Sequence, residues 1–132
     1  MRTLGKILLM IVVGLSFMAC SKKQNDNAKI AGIWHVEGAV YKEKQVADFN
    51  KSPYFIATET HFFFGEAETA QSGLNYCSYT YNGKDMIMYA KNEEGGKAWI
   101  IYVLQQNTEK LVFEYDRDGD GEMIVISLIR AK

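Results

Sequence analysis

From Ile30 onward, apolar and polar residues alternate in short runs with a period of two, the signature of strands with one buried face. Ile33 to Tyr41 is the first run, with Trp34, Val36 and Val40 on one face. Tyr54 to Phe64 is rich in β-branched and aromatic residues and stops at Gly65. Tyr76 to Tyr81 ends at Asn82-Gly83, a strong hairpin signal because both residues accept positive φ. Asp85 to Ala90 follows, then a polar turn over 92–96 and the fully apolar Ala98 to Leu104. Lys110 to Tyr115 alternates again, Asp116 to Gly121 is a turn, and Glu122 to Arg130 is the last run. Residues 43–50 have room for one or two helical turns before Pro53.

Seven runs are clear, and an eighth arises if 54–64 bends or if a short strand lies within 66–75. Turns recur about every ten residues, which favours a sandwich or a barrel. No helix suits a crossover between parallel strands, so the sheet is expected to be antiparallel and up-and-down. Closing it removes its edges. The predicted fold is all-β: a small antiparallel up-and-down β-barrel of about eight strands over residues 30–132. Its expected inward residues are Ala98, Ile100, Tyr102 and Leu104 in one late strand and Leu111, Phe113 and Tyr115 in the next. Phe62-Phe63-Phe64 puts rings on both faces of a strand, so a loop is expected to cover the outer one.

The N-terminus has a different texture. Arg2 and Lys6 precede an apolar run from Ile7 to Ala19, too short to span a hydrocarbon core of ~30 Å comfortably. It reads as a secretory leader over residues 1–19. Phe17-Met18-Ala19-Cys20 resembles a bacterial lipobox, although Phe17 stands where Leu is usual. That resemblance implies cleavage before Cys20 and lipidation of its thiol, with several acyl chains giving durable membrane residence. Residues 20–29 are then the lipidated Cys and a polar flexible tether. Ser21 after the Cys implies, by the same resemblance, an outer-membrane lipoprotein of a Gram-negative envelope, periplasmic or surface-exposed.

The chain has 132 residues with 15 Lys and Arg against 16 Asp and Glu, which leaves no basic excess for a nucleic-acid partner. Of the two Cys, only Cys77 lies beyond the anchor, so it has no internal disulfide to make. It is either a reactive thiol or a small residue packed inside a strand.

Ala31-Gly32-Ile33-Trp34 resembles the G-x-W opening of lipocalin-like β-barrels. The resemblance implies that Trp34 plugs the closed end of the barrel and that Arg130, in Leu128-Ile-Arg-Ala, lies across its indole. The chain also lacks the length, the C-terminal helix and the T-D-Y-like triplet of a full lipocalin.

Asp116-Arg-Asp118-Gly-Asp120-Gly matches the first half of a calcium loop, but Ser127 stands where the bidentate Glu belongs. Asp116, Asp118 and Asp120 are thus a weak metal candidate beside the ordinary reading of an acidic turn. His35 and His61 are the only histidines, short of a zinc ligand set. No nucleophile elbow, zinc-protease helix or phosphate loop is present, so neither an enzyme nor a cofactor is expected.

Two functions stay open. One is a lipid-anchored binding module holding a small apolar ligand in the barrel, with Tyr41, Phe64 and Tyr102 near its open end. The other is a solid barrel that contacts an envelope protein or glycan and holds no small ligand. Interior volume discriminates them, with more than about 300 Å³ favouring a ligand.

Overall fold

The computed structural model describes residues 25–132. The leader over 1–19 and the lipidation at Cys20 lie outside the described residues. A short 3₁₀ turn, Asn27–Lys29, is followed by nine strands: β1 (Gly32–Tyr41), β2 (Lys44–Gln45), β3 (Tyr54–Ala57), β4 (His61–Gly65), β5 (Leu74–Asn82), β6 (Ile87–Asn92), β7 (Ala98–Gln106), β8 (Lys110–Tyr115) and β9 (Ile124–Arg130). Apart from the two-residue β2, which extends one end of β1, each strand pairs antiparallel with the next. β9 returns to β1, from Ile124 opposite Tyr41 to Arg130 opposite Trp34, and closes an eight-stranded barrel. The fold is the all-β, up-and-down barrel that the alternation predicts.

The inward faces of all eight strands supply one core, because successive side chains in a strand point to opposite sides. Phe55, Met88, Leu111, Phe113, Ile124, Ile126 and Leu128 are at most 2% exposed. Phe55 meets Phe62, Phe64 and Phe113 with ring centroids 4.9, 5.2 and 5.7 Å apart. Such tilted aromatic pairs add roughly 0.5–1.5 kcal/mol each beyond their area. The end of the loop over 66–73 lies against the outer ring of the Phe triplet: Phe63 is buried, and a Cβ on Gly73 would lie 3.0 Å from a Phe63 ring carbon.

Four features of the predicted pattern need correction. First, β7 has the opposite register. Trp99, Ile101 and Val103 point inward, while Ala98, Ile100, Tyr102 and Leu104 are exposed. Both faces of this strand are apolar, so alternation cannot choose between registers that differ by one residue; pairing of Ile101 with the fully buried Met88 does. Second, Val40 does not share a face with Trp34. The register with β9 slips between Ser127 and Leu128, opposite Gly38 and Val36, so Glu37 is an extra residue and Ala39 becomes the buried one. Third, residues 25–29 are not tether. Asn27 is 2% exposed, and its amide nitrogen donates to the carbonyls of Glu59 at 2.8 Å and Tyr79 at 2.9 Å. Its Oδ1 accepts from the Tyr81 N–H at 2.7 Å. The folded unit therefore begins before Ile30. Fourth, residues 43–50 hold no helix; Lys42 and Glu43 form a tight two-residue turn at positive φ, and turns continue over 47–52.

Candidate functional site

The closed end is built around Trp34. Its ring is fully buried, and its Nε1–H donates to the Ile30 carbonyl at 2.8 Å. The Arg130 guanidinium lies 4.1 Å from the ring centroid. Arg130 in turn donates through Nε to Thr108 O at 2.7 Å and through a terminal nitrogen to Ala31 O at 3.0 Å. Gly32 makes room for this arrangement: its φ is +140°, and a Cβ there would lie 2.1 Å from an Arg130 terminal nitrogen. The glycine of the G-x-W segment is thus required by the arginine that crosses the tryptophan. At this end the buried indole, the arginine across it and the glycine beneath it pack as one plug.

Among the described residues, large apolar side chains from all eight barrel strands occupy the interior. The void bounded by Phe62, Phe64, Cys77, Trp99, Phe113 and Tyr115 is about 10 Å³, roughly room for one water. Trp99 Nε1, on its wall, is the one buried side-chain polar atom without a partner among the described residues. Cys77 is 1% exposed and faces this core. Burial and, second, the Glu93 charge push its thiol up to about 11, so it is mostly un-ionised at neutral pH and a poor nucleophile. Tyr115 is likewise pushed up to about 12, chiefly by burial.

The open end carries a cap. Phe49, in the 42–53 connection, tucks onto Phe64 with centroids 4.6 Å apart. Arg117 pairs with Asp48 and so ties this connection to the 116–123 hairpin. The same guanidinium stands 5.2 Å from the Tyr41 ring. The Tyr41 hydroxyl donates to Asp120, and this bond raises the Tyr41 pKa and lowers that of Asp120. Asp118 is held low first by its hydrogen bond to Arg117.

The same contacts run through the acidic turn. Asp116 accepts the N–H groups of Gly119, Asp120 and Gly121 at 2.8, 3.1 and 3.0 Å. Asp118 binds Arg117, and Asp120 serves Tyr41, Lys42 and the Glu122 N–H. All three carboxylates already hold donors, and no metal-ligating cluster of three occurs among the described residues. The residues that half-match a calcium loop also cap their own turn. The two histidines lie apart as well: His35 meets Tyr54 edge-on, while His61 stacks on Tyr76 and contacts Glu93 at 3.2 Å.

The residues expected around a ligand do not converge. Phe64 is core, 2% exposed; Tyr41 is engaged with Asp120 at the rim; Tyr102 is 40% exposed on the outer wall, as the register of β7 requires. Three larger concavities among the described residues lie on the outer wall or in loops. One, of about 480 Å³, runs over the outer wall of β5, β6 and β7, past Thr80, Tyr89, Lys91 and Ile100. Sequence reasoning missed it because it assigned Ile100 to the interior.

The comparisons with known proteins bear on this architecture. No curated protein and no solved structure matches the chain. A family profile described as a lipocalin-like domain matches residues 15–110, most of the chain, from before the G-x-W segment to the first residue of β8. Arg130 lies beyond that match and completes the closed end by its own geometry. With an up-and-down barrel sealed at Gly32 and Trp34, the chain belongs to the lipocalin-like domain family.

Proposed function

We propose that this barrel is a lipid-anchored module of a Gram-negative envelope that works through its surface, holds no small ligand inside and catalyses no reaction. The filled interior carries the reading: about 10 Å³ is far below the few hundred that a small-molecule site occupies. The anchor is Cys20, following a leader over 1–19, and the location is the outer membrane. The absence of any nucleophile, zinc or phosphate motif supports a non-catalytic role.

The partner is an envelope protein or glycan met by the open-end loops. Segments 42–53, 66–73, 93–97 and 116–123 carry ten carboxylates against five Lys and Arg, so the complementary surface is basic. Native mass spectrometry of protein purified from its own host tests the reading. The expected mass is the acylated chain alone, with an envelope protein captured by a photo-crosslinker at Glu94. A co-purifying apolar molecule that is lost on Tyr41→Ala would instead establish ligand carriage, and turnover of an ester, glycoside or peptide panel would overturn both.

A further inference from the structure

The barrel has an outer wall that water does not suit. Tyr89 on β6 and Ile100, Tyr102 and Leu104 on β7 are 53, 49, 40 and 51% exposed. They are contiguous: Tyr89 pairs with Ile100, and Ile87 pairs with Tyr102. Charges frame them, with Lys91 beyond Tyr89, Lys84 before Ile87, and Glu114 opposite Tyr102 on β8. Such a contiguous face marks a binding surface more than scattered exposed residues do.

We infer that this wall rests on the bilayer that holds the acyl anchor, an inference that depends on the lipidation of Cys20 proposed above. Three observations choose lipid as the occupant. The first is reach. The Asp26 N–H bonds the Tyr81 carbonyl and its carboxylate takes the Gly83 N–H, so the chain leaves the barrel at the β5–β6 turn, four residues before Ile87. From Cys20 to Asn25 is five residues, at most about 18 Å of extended chain. Tyr89 stands only two residues, roughly 7 Å, up the strand from Ile87. An anchored barrel is therefore leashed beside this wall.

The second is charge. The closed-end segments 25–31, 58–60, 83–86, 107–110 and 130–132 carry five Lys and Arg against four carboxylates, and Lys22 and Lys23 precede them. The open end has a twofold acidic excess. An anionic lipid surface attracts the first end and repels the second. The third is side-chain chemistry: tyrosines flanked by Ile and Leu suit the headgroup boundary, where a ring is apolar and its hydroxyl stays wet. This pose leaves the acidic loops directed away from the membrane.

Spin labels on the full lipidated chain test the inference, one at Ile100→Cys and one at Gly95→Cys, where a side chain meets only Asn92 at 3.8 Å. The vesicles are phosphatidylethanolamine with a minority of phosphatidylglycerol, and flotation reports anchoring separately. The expected result is a several-fold loss of accessibility to a water-soluble nickel complex at position 100 on going from detergent micelles to vesicles. Position 95 stays accessible, and adding Leu104→Glu restores access at 100. If the chain floats and position 100 is as accessible as 95, the inference is overturned while the anchor stands. If the chain does not float, both fall. Protection at 100 that persists in micelles with a dimeric mass assigns the wall to a second copy and overturns the inference.

Discussion

Arg130, near the last residue of the chain, lies 4.1 Å above the ring of Trp34, in the first strand, and so locks together the two strands that close the barrel. Trp34→Ala removes a fully buried indole and should cost about 3–5 kcal/mol. Arg130→Ala should cost less, about 0.5–2 kcal/mol for the cation–π contact plus its two carbonyl bonds. Urea unfolding of both variants checks the order, and a larger loss from Arg130→Ala than from Trp34→Ala would contradict it.

Asn27 makes the second lock at the same end. Asn27→Ala leaves the Tyr81 N–H and the Glu59 and Tyr79 carbonyls without their partner. A buried group left unsatisfied costs about 1–3 kcal/mol. The expected loss therefore exceeds that of Asn25→Ala, whose side chain accepts one local N–H. Amide exchange at Tyr81 should accelerate in the first variant alone.

The buried phenols set an alkaline limit. Tyr79, Tyr81 and Tyr115 are all raised by burial, Tyr115 to about 12. The fold favours their neutral forms, so the stability they contribute is intact below the ordinary phenol value of about 10 and is lost as pH rises through the folded values. Absorbance at the tyrosinate band should show these residues ionising only with unfolding. Cys77 should follow them, resisting a thiol reagent at neutral pH and reacting once urea unfolds the chain.

The open-end cap has the opposite dependence. Asp118 and Asp120 are held low, so their contribution is present above the ordinary carboxylate value of about 3.9 and is lost as pH falls through the lowered folded values. Loosening of the 116–123 hairpin and the Tyr41 ring in that acid range, seen by NMR, is the expected outcome. Both carboxylates are exposed, so the effect is local rather than global.

Calcium should not bind this hairpin tightly. Its carboxylates already serve backbone N–H groups, Arg117, Tyr41 and Lys42. Calorimetry should show no site tighter than about 0.1 mM. A submicromolar site abolished by Asp118→Ala would overturn this.

The barrel is legible where one face is apolar and the other polar, as in β8, whose Leu111, Phe113 and Tyr115 face the core as the alternation predicts. It is illegible in β7, where Ile100 and Ile101 are chemically equivalent and only the partner strand separates them. Bulges hide for the same reason: the slip beside Glu37 exists only in relation to β9. Asn27 was unreadable because a single polar residue in a polar stretch carries no periodicity; its importance comes from carbonyls that arrive with Glu59 and Tyr79. Gly32, Trp34 and Arg130 stand out in the sequence because their residue types are demanding. The outer wall did not, since its residues read as core.

The sequential pairing of the strands also shapes how the chain must assemble. Setting aside the two-residue β2, every neighbour contact around the barrel joins strands consecutive along the chain except the seam between β1 and β9. The local hairpins can form with little loop entropy at stake, whereas the seam must draw together segments separated by nearly the whole domain. Folding is then a race between hairpin growth and one late closure. Until that closure, both edges of an eight-stranded sheet stand open to pairing with other chains.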